Sequence, residues 1–532
     1  QNSAPENKFS EKNDDNENSM QNRKEQKRRE AELRQQTAPL RKQISQLEEK
    51  MSIAQSIEIK NEILERIVEA FFSEDFENNA RLIPYDMRPK GSDVPYRCCI
   101  YKERAILKER VKAGLGFALE EDDETKLLST FAKEAIERKE PDTDPLTVLD
   151  AACVGCVPSR IYVTDLCQGC VARPCQTACK FGAISMVDGK SKIDGSKCKN
   201  CKMCMRACPY NAIVKLAVPC EDACPVGAIH KDENNITRID FDRCITCGKC
   251  VAACPFGAVN EKSQLVDIMK NIKAPDKKLV AMIAPSIAGQ FGCSIYKLKS
   301  AIKKAGFDEV IEVAQGADIT TINEAKEFEE RMEEGAPFMT TSCCAGYNNL
   351  TATGLPEIQE FKSTTGTPLF YTAQIVREQY PDAISVFVSP CVAKRKEGMN
   401  NENVDYVMNY QELNALIKGR KINIEECEEE KFDKESSKQA RNFGVTGGVA
   451  DAVCSVLKDK ESAKPYVIDG LTKDSIKELK KFAKDKSCPD CNLIEVMCCE
   501  GGCIGGNAVI KSQRDAKKQL KTLLENSSNL ER

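Results

Sequence analysis

Tryptophan is absent from the 532 residues, and histidine occurs once, at His230. A single imidazole removes nearly every mechanism that needs His ligands or a His base, so thiolates, carboxylates and lysines must carry any chemistry. No run approaches the ~18 consecutive apolar residues of a membrane helix, and no apolar N-terminal stretch flanked by a cleavage site is visible. An excess of one charge is also missing, since 78 basic and 82 acidic residues leave a net charge of −4. That balance gives no case for nucleic acid or a membrane surface as partner. The expected setting is soluble, reducing and cytoplasmic. The chain opens on Gln1 rather than Met, as a truncated or processed chain would.

Cysteine is what the sequence holds in excess, with 29 residues. A chain this long and this rich in Lys and Glu does not resemble a small disulfide-stapled secreted scaffold, and most of the cysteines fall in C-x2-C runs, which is metal spacing. The length suffices for about three or four domains of ~150 residues. Residues 1–52 read as a charged, partly disordered and partly helical appendage, with Leu40, Ile44, Leu47 and Met51 in a short heptad-like seam. Its run from Arg28 to Lys42 resembles the charged helical segment of ABC-F type ATPases, without a Walker motif. Residues 53–150 read as a helical domain in which Ile59, Ile63, Ile67 and Phe71 recur every four residues, with breaks near Pro84 and Pro95. The adjacent Cys98 and Cys99 are expected to be buried, because neighbouring side chains rarely ligate one metal together.

Residues 151–262 contain four copies of one short pattern: Cys179-Lys180-Phe181-Gly182-Ala183, Cys208-Pro209-Tyr210-Asn211-Ala212, Cys224-Pro225-Val226-Gly227-Ala228 and Cys254-Pro255-Phe256-Gly257-Ala258. Two tandem modules resembling bacterial ferredoxins follow from this repeat. In such modules the last Cys of each run ligates the cluster of the other run. Cys198, Cys201 and Cys204 then pair with Cys179, and Cys167, Cys170 and Cys175 with Cys208. In the second module Cys244, Cys247 and Cys250 pair with Cys224. Cys220 and Cys254 remain, and the upstream Cys153 and Cys156 complete a fourth set. Sixteen cysteines thus fill four 4Fe-4S clusters, with zinc as the rival metal.

From about residue 275 to 511 the pattern alternates apolar strands and helices. Residues 279–284 and 383–388 read as buried parallel strands ending at Pro285 and at Pro390-Cys391, where open α/β sheets gather ligands. Glu425 to Lys438 should be a surface excursion, and residues 512–532 a solvated tail. Three cysteine patches stand out: Thr341-Ser342-Cys343-Cys344, Ser389-Pro390-Cys391-Val392-Ala393-Lys394 and Cys499-Glu500-Gly501-Gly502-Cys503-Ile504-Gly505-Gly506. Four cysteines drawn from these three loops could hold an iron–sulfur cube through thiolates. The pair Cys488 and Cys491 is open between a redox-active or free thiol pair and a metal site, while Cys293, Cys427 and Cys454 read as buried small hydrophobes.

The three patches, in this order, resemble those of the iron-only (FeFe) hydrogenases over roughly residues 150–511. The implied fold class is α+β/α/β multidomain: tandem ferredoxin-like modules followed by an α/β catalytic domain. The resemblance implies a 4Fe-4S cube on Cys344, Cys391, Cys499 and Cys503, with Cys503 bridging to a di-iron unit that carries carbon monoxide, cyanide and an azadithiolate. Lys394 would partner a cyanide, and Met497, Ala284 and Pro285 would line the site. A proton relay is implied over Arg331, Glu327, Ser363, Glu324 and Cys343. The implied partners are dihydrogen, protons, a ferredoxin-type electron carrier and di-iron maturation proteins. Ala345, Ser389, Leu369 and Cys498 depart from the family's usual residues and place the chain in a divergent branch. A hydrogenase-like sensor and an iron–sulfur assembly protein without turnover are the alternative readings.

Overall fold

The computed structural model describes residues 55–530 except 92–95, 121–122, 143 and 275. The expectations for residues 1–52 and the break at Pro95 therefore lie outside the described residues. The chain divides into two compact units, residues 1–59 and residues 60–532, and the second holds every candidate site.

The first layer of the second unit is helical, over Gln55–Phe71 from residue 60 onward, Phe76–Met87, Ile100–Gly114 and Leu128–Glu137. Ile63, Ile67 and Phe71 stay buried because a step of four returns to one helix face, and the Phe71 ring meets Phe76 edge-on at 5.2 Å. Pro84 does not break the chain; it lies within Phe76–Met87 and is buried. It stands in the last turn, so its missing N–H removes only one helical bond there. Cys98 and Cys99 differ from expectation as well: Cys98 is exposed and Cys99 half-exposed.

The cysteine-rich region builds four antiparallel ribbons from strands of three or four residues: β1 (Leu146–Val148), β2 (Arg160–Val163), β3 (Ile184–Val187), β4 (Lys190–Ile193), β5 (Ile213–Leu216), β6 (Ile229–Lys231), β7 (Thr237–Ile239) and β8 (Val259–Glu261). They pair as β1–β8, β2–β5, β3–β4 and β6–β7. The repeated pattern has a backbone cause. Its fourth residue takes a left-handed φ of 59° at Gly182, 50° at Asn211, 65° at Gly227 and 58° at Gly257, a region open to Gly and tolerated by Asn. That turn lets the next N–H donate to the cysteine of the pattern, as Ala228 does to Cys224 Sγ at 3.2 Å and Ala258 to Cys254 Sγ at 3.3 Å.

The C-terminal region contains two parallel sheets. One has the order β10-β9-β12-β13, from β9 (Leu279–Ile283), β10 (Glu309–Glu312), β12 (Ile384–Ser389) and β13 (Tyr406–Asn409). The other has the order β11-β15-β14, from β11 (Met339–Thr340), β14 (Pro465–Asp469) and β15 (Leu493–Met497). Val280, Met282 and Phe387 pack against Leu369, Ala373 and Val376 of the helix Pro368–Gln379. All three cysteine patches follow strand carboxyl ends: β11 leads into Cys343-Cys344, β12 into Cys391, and β15 into Cys498-Cys499. No helix among the described residues is long and apolar enough to cross a membrane.

The segment from Glu425 to Lys438 is a surface excursion, exposed over most of its length, and it is anchored where Cys427, Phe432, Ser436 and Ser437 are buried and Lys299 Nζ donates to the Lys431 carbonyl at 2.8 Å. The expected burial of three thiols needs correction for two of them: Cys427 is buried, but Cys293 and Cys454 are half-exposed. The helix Gln513–Glu525 in the tail also buries Ala516 and Leu520, so one of its faces packs.

Candidate metal-cluster site

The three patches converge on one cavity. Cys344, Cys391, Cys499 and Cys503 line it, together with Cys343, Ala284, Pro285, Met497 and Lys394. Cys344 and Cys391 are the N-cap residues of the helices Ala345–Thr353 and Val392–Met399, where the helix end favours a thiolate. The Cys498 N–H donates to Cys344 Sγ at 3.4 Å. Gly502 has a φ of 86°, and a Cβ there would meet the Thr446 nitrogen at 2.6 Å, so the third patch passes where only glycine fits.

The donor chemistry fits a cationic cluster. Burial, then the neighbouring thiols Cys344 and Cys499, push Cys503 up to about 12. Burial, then Cys499, Cys344 and Cys503, raise Cys391 well above the usual thiol range. Thiols that hold one another protonated in this way release their protons when a metal takes up the negative charge. Lys394 is the one charged residue lining the cavity among the described residues. Its amine donates to Glu397 Oε2 at 2.7 Å. Burial pulls the Lys394 pKa down, but Glu397, Cys343 and Cys503 outweigh it and the net shift is upward.

A line of polar side chains leads away from Cys343 along the helix Ala314–Glu333. Arg331 pairs with Glu327 at 2.7 Å. Ser363 Oγ donates to Glu327 Oε2 at 2.7 Å. Glu324 is fully buried, and its Oε1 accepts from the Ser342 N–H at 3.1 Å. Burial raises its carboxyl to about 8, against the opposing pull of the Ser342 N–H and the Ser363 hydroxyl. Burial and the nearby Glu324 also raise Cys343 well above the ordinary thiol range. Both groups therefore hold protons at neutral pH.

The sixteen upstream cysteines gather in four sets. Cys167, Cys170, Cys175 and Cys208 line one cavity, and Cys179, Cys198, Cys201 and Cys204 line another. Cys153 and Cys254 both act electrostatically on Cys156 and Cys220, and Cys224, Cys244 and Cys247 act on Cys250. Among the described residues no three Cys, His, Asp or Glu side chains are arranged to hold a single metal ion. The thiols surround a volume instead of meeting at a point, which suits a multi-iron cluster better than zinc.

Residues 277–507 match the family described as "Iron only hydrogenase large subunit, C-terminal domain". Those residues are similar to the catalytic domain of the iron-only hydrogenases. Residues 219–258 match a 4Fe-4S dicluster domain and residues 191–214 a 4Fe-4S binding domain. Iron hydrogenase 1 of Clostridium pasteurianum is 28% identical over 306 residues, covering 47% of this chain and 53% of that protein. The NADP-reducing hydrogenase subunit HndD of Solidesulfovibrio fructosivorans is 26% identical over 421 residues, covering 65% and 64%. The chain thus spans between half and two-thirds of the length of these two relatives. A solved structure of FeFe-hydrogenase HydA1 from Chlamydomonas reinhardtii aligns at a TM-score of 0.42 and 19% identity, covering 51% of this chain and 91% of that one.

Within this hydrogenase-like domain the four departures, Ala345, Ser389, Leu369 and Cys498, all line the cavity. Three features escape sequence reasoning. Glu397 holds the Lys394 amine, and its i,i+3 spacing on a helix was the available signal. Cys498 interacts with Cys247 of an accessory set, a contact between distant segments that no spacing announces. Glu495 is buried, accepts from the Gly447 and Ala450 N–H groups at 2.8 Å each, and is raised by burial to about 7. Cys488 and Cys491 pair as a disulfide.

Proposed function

We propose that this chain interconverts dihydrogen with protons and electrons at a site where Cys344, Cys391, Cys499 and Cys503 would hold a 4Fe-4S cube, with Cys503 the thiolate assigned to a di-iron unit that would carry carbon monoxide, cyanide and an azadithiolate. The observation that carries this reading is the polar line from Arg331 to Cys343, which ends beside a cavity lined by those four thiols and by Lys394. When bound, the di-iron unit supplies the metal at which dihydrogen forms or splits. The protein's part is to deliver and orient. Cys343, held as a thiol, keeps a proton at the cavity wall, and Glu324, held as a carboxylic acid, replenishes it. Ser363 can accept from a protonated Glu324 while donating to Glu327, and the Arg331 guanidinium steadies Glu327 as a carboxylate. Lys394 offers ammonium protons to a buried anionic ligand that would otherwise be costly to desolvate. Met497 and the apolar lining exclude water.

The four accessory cysteine sets would hold 4Fe-4S clusters, which would supply the electron path toward the cube, with a ferredoxin-type protein as donor, in a reducing cytoplasm where ligand thiols persist. Maturation proteins for the di-iron unit are required partners. Dihydrogen evolution from reduced viologen after maturation tests the reading: activity lost in Cys343→Ala is the expected result, and full activity in that variant would contradict the relay.

A further inference from the structure

The pair in Cys488-Pro489-Asp490-Cys491 belongs to none of the cluster sets. It is the one disulfide among the described residues, in a chain whose cluster ligands work only as free thiols or thiolates. In a reducing setting a disulfide is usually transient and serves exchange or redox sensing rather than stapling. Its two sulfurs differ in access. Cys488 is half-buried between the exposed Ser487 and Pro489, whereas Cys491 is 7% exposed and packs in one apolar cluster with Phe482, Ala483 and Ile494. The pair lies between the helix Lys473–Asp485 and β15, and the next residue ties the starts of three strands together. The Asn492 carbonyl accepts from the Met339 N–H at 2.8 Å, at the head of β11. Its side-chain Oδ1 accepts from the Lys464 N–H at 2.6 Å, just ahead of β14, and its Nδ2 donates to the Ser462 carbonyl at 2.8 Å. The far ends of β11 and β15 lead into Cys343-Cys344 and Cys498-Cys499.

We propose that Cys488–Cys491 is a thiol–disulfide exchange site that takes a protein dithiol, and that its state sets how firmly the starts of β11, β14 and β15 are held. A thiolate of the incoming protein attacks the accessible Cys488 sulfur and forms a mixed disulfide. The Cys488–Cys491 bond breaks with its electron pair on Cys491, which takes up a proton. The second thiol of the incoming protein then loses its proton and attacks the mixed disulfide at its own protein's sulfur, which releases Cys488 to be protonated. The chain gains two electrons and two protons, and the incoming dithiol becomes a disulfide. Cys491, walled in by apolar side chains, is out of reach of a second protein and can only be the leaving sulfur. The closed form is the resting one, because Cys488 follows the C-terminal end of a helix, where a thiolate is not favoured. Opening the bond returns chain entropy to the loop beside Asn492, so the strand starts open more often.

The test uses the full chain loaded with its clusters and purified without thiol reductant. It is incubated anaerobically with reduced thioredoxin, alkylated and peptide-mapped. Cys488 and Cys491 should resist the label before this treatment and take it afterwards, with one thioredoxin disulfide formed per chain. Hydrogen exchange then reads the sheet. The Met339 and Lys464 amides should exchange at least about tenfold faster in the opened form. Cys488→Ser/Cys491→Ser should show the faster exchange without any dithiol, and so should Cys488→Ser alone, in which the Cys491 thiol stays in its apolar setting. Labelling of both cysteines before thioredoxin is added, resistance to label afterwards, or labelling only after a metal chelator would overturn the proposal. So would exchange at Met339 and Lys464 that is the same in the open and closed forms. None of these readouts involves dihydrogen, so a chain that opens its disulfide but evolves no gas would contradict the proposed function alone.

Discussion

Ser363 Oγ donates to Glu327 Oε2 at 2.7 Å, while Glu327 Oε1 pairs with Arg331 at 2.7 Å. The same hydroxyl acts on the carboxyl of the buried Glu324, whose Oε2 has no hydrogen-bond partner among the described residues. Ser363→Ala removes that hydroxyl but leaves Glu327 its hydrogen bonds from Thr364 and Thr365, so the fold should hold. A fall of roughly 10²-fold in dihydrogen evolution is expected, the scale of one lost proton-transfer group, with the cluster absorption spectrum unchanged.

Glu324 links activity and stability to pH. Its carboxyl sits at about 8 in the folded chain against 4.5 ordinarily. It is protonated below pH 8, so the evolution rate should decline as pH rises through about 8, and Glu324→Gln should lose both the rate and that limb. The folded state holds this proton more tightly than the unfolded state. Its stabilising effect is therefore complete below about pH 4.5 and is lost as pH rises to about 8. Melting temperatures taken from pH 5 to 8 should fall more steeply for the wild type than for Glu324→Gln.

Arg395 and Glu412 form a buried ion pair at 2.6 Å, each side chain 2% exposed. Arg395 also donates to the Lys262 carbonyl, tying the end of the cysteine-rich region to the helix that follows Cys391. Arg395→Met leaves Glu412 buried without its partner, and a loss of about 3–5 kcal/mol is expected from urea unfolding. Arg395→Met/Glu412→Gln should recover most of it.

Adjacent thiols should behave differently. Cys499 is assigned to the cube, whereas Cys498 lies between Cys247 and Cys499. Cys499→Ala should lower the iron content by about four atoms, one cluster's worth, and Cys498→Ala should leave it unchanged.

The sequence displayed the chemistry-bearing loops better than their surroundings. Cys391 was legible because the apolar run 383–388 ends at Pro390-Cys391, Cys343 and Cys499 because their patches resemble a family's in the same order, and the repeated Cys patterns because each demands a left-handed turn, at Gly182, Asn211, Gly227 and Gly257. The Lys394–Glu397 pair and the Cys247–Cys498 contact were not, since they depend on rotamers and on packing between distant segments. Pro84 misled because its breaking effect is small in a last helical turn, and Cys98 because exposure is set by the packing of neighbouring helices.

Infrared spectroscopy of the chain after maturation with the di-iron unit tests the central claim most directly. Sharp bands from metal-bound carbon monoxide and cyanide are expected, with the cyanide bands shifted in Lys394→Met. A matured chain that contains all its iron–sulfur clusters yet shows no such bands would contradict hydrogen activation at this site.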